Sequence, residues 1–118
     1  MTIHIYGIRN CDTMKKAFAW LDALSLPYEF HDYKKAGVDL ADLQRWAALW
    51  GWEALINCKG TTWRRLPETD RDCPDAESAF ALMMAHPSMI RRPILIRAEQ
   101  GLLGFDAEGW QAFFQDRS

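Results

Sequence analysis

A change of hydrophobic period near the N-terminus constrains this chain more than any other feature. In Thr2-Ile3-His4-Ile5-Tyr6, Ile3 and Ile5 alternate with their neighbours at a period of two before Gly7, the pattern of a half-buried strand. From Asp12 the period becomes helical. Met14, Ala17, Phe18, Leu21 and Leu24 recur at i, i+3, i+4, i+7 and i+10, and the stripe stops before Pro27. Tyr28 to Tyr33, rich in aromatics and bounded by Pro27 and Lys34-Lys35, predicts a second strand. Strand, crossover helix and strand make a βαβ unit, so the two strands should be parallel and joined right-handedly.

The middle of the chain reads as helical. Asp39 can cap a helix that turns Leu40, Leu43, Trp46, Ala47 and Trp50 inward and ends at Gly51. A second helical stretch covers Trp52 to Ile56, followed by a basic loop from Asn57 to Arg65. Another helix follows Pro74, with Ala76, Ala79, Phe80 and Met83 on one face, and stops at His86-Pro87. Helical spacing assigns the Trp and Met residues here to the core. Pro93 to Arg97 and Leu102 to Phe105, joined by Ala98-Glu99-Gln100-Gly101, give a hairpin signal. Asp106 then caps a last helix carrying Trp110, Phe113 and Phe114. The order β-α-β, helices, β-β-α suits one domain over residues 1–118, with the helical middle inserted into it.

Composition narrows the function classes. Hydrophobic residues make up 49% and charged residues 25%, but the apolar runs are short and broken by charge, leaving no span of about 20 apolar residues for a membrane helix. The start of the chain has neither a basic region nor a long apolar one, so a cytoplasmic protein is expected. Three cysteines cannot pair completely within one chain, which agrees with a reducing compartment. A formal net charge of -2 gives no general attraction to nucleic acid or anionic lipid.

The chemistry centres on Cys11. It follows the Gly7-Ile8-Arg9-Asn10 loop and precedes the first helix, so unpaired backbone N–H groups and the positive end of the helix dipole can favour its thiolate. Arg9, Lys15 and Lys16 would assist, while Asp12 opposes. Spacing alone leaves two readings open, a reactive thiol and a small buried hydrophobe. Cys11-Asp12-Thr13-Met14 holds no Cys-x-x-Cys pair, so a local disulfide is excluded, and Cys58 or Cys73 could resolve only if the fold brought it close. Cys11, Cys58, Cys73, His4, His31 and His86 show no paired ligand spacing, so no metal site is expected. Arg91-Arg92-Pro93 can be a strand opened by proline with surface arginines, or a cis bond that presents a guanidinium to a neighbouring site. The basic loop from Lys59 to Arg65 reads first as solvated surface; folded toward Cys11, it could hold a carboxylate or oxyanion.

Three segments, Ile5-Tyr6-Gly7-Ile8-Arg9-Asn10-Cys11-Asp12-Thr13, Gly60-Thr61-Thr62-Trp63-Arg64 and His86-Pro87-Ser88-Met89-Ile90-Arg91-Arg92-Pro93-Ile94, together resemble the arsenate reductase (ArsC) family with its Spx and YffB-like relatives. The resemblance spans nearly the whole chain. It implies an α/β, thioredoxin-like (glutaredoxin-like) fold with a mixed sheet of about four strands and a helical insertion at about 36–88. Carried over by residue, Cys11 is the active thiol, Arg92 the arginine beside it and Pro93 the cis-proline.

The sequence is most similar to the YffB-like branch, for which a glutathione-dependent thiol reductase activity has been inferred. On that resemblance the Cys11 thiolate attacks an oxidised sulfur or accepts glutathione, and a second glutathione resolves the mixed disulfide. Asn10 and Thr13 would orient the sulfur, Lys59 and Arg92 would hold substrate carboxylates, and no bound cofactor is expected. Arsenate reduction, with glutathione and glutaredoxin, is the enzymatic alternative. It is weakened because Lys59 stands where that activity uses a middle arginine and Gly104-Phe105-Asp106 has no arginine, and a lysine lacks a bidentate guanidinium's geometry. Spx-like binding of RNA polymerase is the non-enzymatic alternative. Met14 stands where many Spx proteins carry the second cysteine of a redox switch.

Overall fold

Strand β1 (Ile3–Gly7) takes up the alternation of its sequence, with Ile3, Ile5 and Gly7 buried and His4 and Tyr6 on the opposite face. Helix α1 (Asp12–Ala23) lays Met14, Ala17 and Leu21 against the buried face. It ends where Ser25 adopts a left-handed φ of 55° and the Leu26 N–H donates back to the Leu21 carbonyl at 3.0 Å, turning the chain before Pro27. Strand β2 (Glu29–Asp32) then runs parallel to β1, pairing His4 with Glu29 and Tyr6 with His31. The coordinates are a computed structural model and describe residues 2–58, 60–72 and 75–115, with the Asp70 side chain excluded.

After the inserted segment, β3 (Ile94–Arg97) pairs antiparallel with β1, and β4 (Gln100–Leu103) pairs antiparallel with β3. The hairpin is tighter than its sequence suggests. Arg97 pairs with Gln100, so only Ala98 and Glu99 form the turn, and Ala98 takes the positive φ of 58° that such short turns demand. The Asp106 carboxylate accepts the Gly109 N–H at 3.1 Å and starts α7 (Ala107–Gln115). The sheet order is β2-β1-β3-β4, a mixed four-stranded sheet in a thioredoxin-like arrangement.

Both α1 and α7 cover one face of this sheet. Ile3, Ile5, Met14, Ala17, Leu21, Leu95, Trp110 and Phe114 form its buried core. Trp110 meets Trp20 edge to face at 5.6 Å between ring centroids, and its indole N–H donates to the Gly104 carbonyl at 3.0 Å. The bulky indole is therefore buried with its polar handle satisfied.

The chain divides into two compact units, residues 33–91 forming the second. It holds α2 (Tyr33–Ala36), α3 (Leu40–Trp50), α4 (Thr61–Arg65), α5 (Glu68–Arg71) and α6 (Ala76–Ala85), with 3-10 turns at Glu53–Leu55 and Pro87–Met89. Its ends are tied by an isolated bridge between Ile56 and Ile90, by Arg91 N–H to Leu55 carbonyl at 2.7 Å, and by Tyr33 hydroxyl to Ile90 carbonyl at 3.0 Å. Two sequence expectations change here. Leu43 and Trp46 are buried as the stripe requires, but Leu40 is 43% exposed because it opens the first turn of α3 beside its cap. The basic loop contains helix α4, which Gly60 caps and local propensity did not announce.

Gly7 is required by a close approach. A Cβ there would lie 2.6 Å from the Met14 terminal methyl and still closer to its sulfur, and Met14 is fully buried. Gly7→Ala should therefore overpack the core and cost about 1–3 kcal/mol, read as a lower urea midpoint. An unchanged midpoint would mean that Met14 yields.

Candidate active site

Cys11 is the N-cap residue of α1, in an extended conformation with φ of -148° and ψ of 131°. Its carbonyl already accepts the first intrahelical bond, from the Lys15 N–H at 2.9 Å, while its own N–H donates to the Arg9 carbonyl at 3.1 Å. The amides of the next residues are left without intrahelical partners. Cys11 makes no strict side-chain cap bond, yet the Thr13 and Met14 N–H groups act on its sulfur.

The cation at this thiol comes from far away in sequence. The antiparallel register pairs Tyr6 with Ile94, so the chain two residues before Ile94 lies beside the loop that leaves β1. There Arg92 Nε donates to Cys11 Sγ at 3.3 Å, across 81 residues. The Arg92–Pro93 peptide is cis, and the buried Pro93 accepts the Gly104 N–H at 2.8 Å through its carbonyl. Burial pushes the Cys11 thiol up, but the Met14 amide, the Arg92 hydrogen bond and charge, and the Thr13 amide together outweigh it. The thiol therefore ionises below its ordinary value, a half-buried sulfur primed as thiolate.

The other residues singled out in the sequence distribute as follows. Arg9 does not supply the charge; its guanidinium lies over the Phe30 ring at 5.0 Å. Asn10 is exposed on the loop before Cys11, and Thr13 is half-buried in the first turn of α1. Cys58 is exposed in the second unit, and Lys59 and Cys73 lie outside the described residues. Met14, at the second position of a Cys-x-x-Cys spacing, is fully buried.

The sheet also brings together three side chains that spacing along the sequence leaves apart. His4 on β1 and Glu29 and His31 on β2 converge, with His4 Nδ1 2.9 Å from His31 Nε2 and 3.7 Å from Glu29 Oε2. Spacing within one segment could not reveal this, because the ligand atoms meet only through the β1–β2 register. Alternating His-x-Tyr (His4 and Tyr6) and Glu-x-His (Glu29 and His31) on two strands predicted to be parallel was the one available signal.

The sequence pattern of the ArsC family matches residues 6–113. A solved structure of a YffB protein superposes with a TM-score of 0.90 at 46% identity, covering 94% of this chain and 97% of its own. An arsenate reductase (ArsC) related protein from Brucella melitensis gives a TM-score of 0.76 at 49% identity, covering 98% of this chain and 96% of that one. A Haemophilus influenzae protein of unassigned function is 38% identical, over 95% of this chain and 98% of its own length. Among the described residues, no helix is long and apolar enough to cross a membrane.

The Cys11 alkylation rate should rise with pH to a plateau whose midpoint lies below the value of an ordinary, unperturbed thiol. Arg92→Ala removes a group that stabilises the thiolate, so its midpoint should move up and its rate at neutral pH should fall several-fold, to about tenfold at most in so open a site. Iodoacetamide kinetics with peptide mapping would check this; superimposable profiles would exclude Arg92 as the activating cation.

Proposed function

Because the chain belongs to the ArsC family, we propose that it is a cytoplasmic thiol-dependent oxidoreductase, with Cys11 as its single nucleophile and glutathione as the thiol that resolves it. The observation that carries this reading is Arg92 Nε on Cys11 Sγ at the N-terminus of α1, which favours thiolate in a solvent-accessible position. The Cys11 thiolate attacks the glutathionyl sulfur of a mixed disulfide, forming a Cys11–glutathione disulfide and expelling the substrate thiolate, which takes a proton from water. A second glutathione thiolate attacks the glutathionyl sulfur, giving oxidised glutathione and returning Cys11 as thiolate. In net terms the mixed disulfide and one glutathione give the substrate thiol and oxidised glutathione: the incoming glutathione thiol is oxidised as the substrate sulfur is reduced, and the glutathionyl sulfur passes from one disulfide to the next.

Asn10 and Thr13 would orient the sulfur and the incoming peptide. Arg92 would hold a glutathione carboxylate. Met14 supports an external resolver, because its side chain is packed into the core where the second cysteine of a Cys-x-x-Cys pair would stand. Arsenate reduction is a second reading, favoured by the guanidinium beside the thiol and by the arsenate reductase-related structure from Brucella melitensis. A single arginine on this thiol supports it less well than a carboxylate-bearing thiol substrate, because a tetrahedral oxyanion calls for several forked donors.

Brief treatment with oxidised glutathione, followed by peptide mapping, should place one rapidly formed adduct on Cys11 of the wild-type chain and none at position 11 of Cys11→Ser. Turnover of a small glutathionylated disulfide with glutathione should fall by at least about a hundredfold in Cys11→Ser. A Cys11 that reacts no faster than exposed Cys58 would sink the proposal, and arsenate turnover exceeding disulfide turnover would reverse the order of the two readings.

A further inference from the structure

Of the features outside the Cys11 site, the edge of the sheet opposite the α1 face carries the most chemistry. β2 is an edge strand, and the β1–β2 register sets His4 beside Glu29 with His31 two residues along. Ile3, Ile5 and Phe30 point to the core on one face, so His4, Tyr6, Glu29 and His31 share the other. Their ligand atoms converge as well as their side chains: one nitrogen of each histidine and one Glu29 oxygen all lie within 4.8 Å of one another. The His31 ring stacks on Tyr6 with centroids 4.5 Å apart and planes 16° apart, which holds its orientation.

We propose that His4 Nδ1, His31 Nε2 and a Glu29 carboxylate oxygen form a binding site for a borderline divalent cation of the Zn2+ class. Two of the three ligand spacings, both measured from His4, come close to that coordination, and the third lies within 4.8 Å, a gap that the exposed Glu29 carboxylate can close by rotating. With metal–ligand distances of about 2.0–2.1 Å and tetrahedral angles, neighbouring ligand atoms stand about 3.3 Å apart. The 2.9 Å between the two ring nitrogens and the 3.7 Å to Glu29 each differ from that by a few tenths of an ångström. Two neutral rings in this contact share one proton between facing nitrogens. Binding needs only that the donor ring carry its proton on its other nitrogen, which frees both lone pairs. Two imidazoles and one carboxylate select Zn2+, Ni2+, Co2+ or Cu2+ over Mg2+ and Ca2+. The His4 and Glu29 side chains are 34% and 61% exposed, so a cation can enter and complete its shell with water.

The test uses the full chain and CoCl2, whose four-coordinate complexes absorb in the visible, with ZnCl2 competition to read affinity. The expected result is one Co2+ per chain, bound at least about tenfold more weakly by His4→Ala and by His31→Ala, and unchanged in Cys11→Ser. Glu29→Gln, on an exposed position, should weaken binding by a smaller factor. Because the histidine variants could disturb the strand pair, ring-nitrogen NMR of the wild-type chain gives an independent readout: Zn2+ should shift His4 Nδ1 and His31 Nε2. Absent binding, ring resonances that do not move, or binding that vanishes when the cysteines are blocked and ignores both histidine substitutions would overturn the proposal.

Discussion

The structural unit containing Cys11 depends on the pairing of β1 along both of its edges. Parallel to β2 on one side and antiparallel to β3 on the other, β1 cannot slip by one residue without turning Ile3 and Ile5 out of the core. That constraint fixes two chemistries at once. The C-terminal exit of β1 leads to Cys11, and the antiparallel register with β3 delivers Arg92 to the same place. The outer face of β1 carries His4, and the parallel register with β2 delivers Glu29 and His31 to it. Neither grouping could form in a shifted sheet.

At Cys11 the balance of forces matters more than any one contact. Burial is the largest influence and works against the thiolate, so the thiol pKa falls only because backbone amides and one guanidinium act together. Arginine suits this role because it remains charged at any relevant pH and holds its donors in a rigid plane. The consequence reaches both halves of a disulfide exchange. A depressed thiol pKa lowers intrinsic nucleophilicity somewhat, yet it raises the thiolate fraction at neutral pH and makes Cys11 a better leaving group when a second thiol resolves the adduct. The linkage runs in the same sense: between the folded and ordinary thiol values the folded chain holds thiolate where an unfolded chain holds thiol, so this contribution to stability is present above the ordinary value and lost as pH falls through the folded one.

How far the sequence foretold this depends on the range over which each feature acts. Cys11 was legible because the change of period from two to 3.6 marks the strand–helix junction within a dozen residues. Arg92 at the thiol was not legible from spacing, since it acts across 81 residues and needs the β1–β3 register; family resemblance supplied it. Arg9, adjacent in sequence, was the natural expectation, and it is drawn to the Phe30 ring instead. His4 and His31 escaped for the same reason as Arg92, because strand register has no signature in a single segment. Gln100 and Gly101 looked like turn residues by type, but the ladder to β3 claims them as strand.

The lack of a cysteine three residues after Cys11 has a counterpart in the packing. Met14 follows Cys11 by three residues, and its long side chain enters the core beneath Gly7, the only residue type with no Cβ to obstruct it. A shorter cysteine at position 14 would leave a cavity beside Gly7, and a larger residue at position 7 would drive the methionine out. The two positions are therefore coupled. A second thiol could not be introduced at the helix start without repacking the junction that presents the first. The absence of a cysteine at position 14 is thus matched by how β1 and α1 pack, the same constraint that holds the sheet.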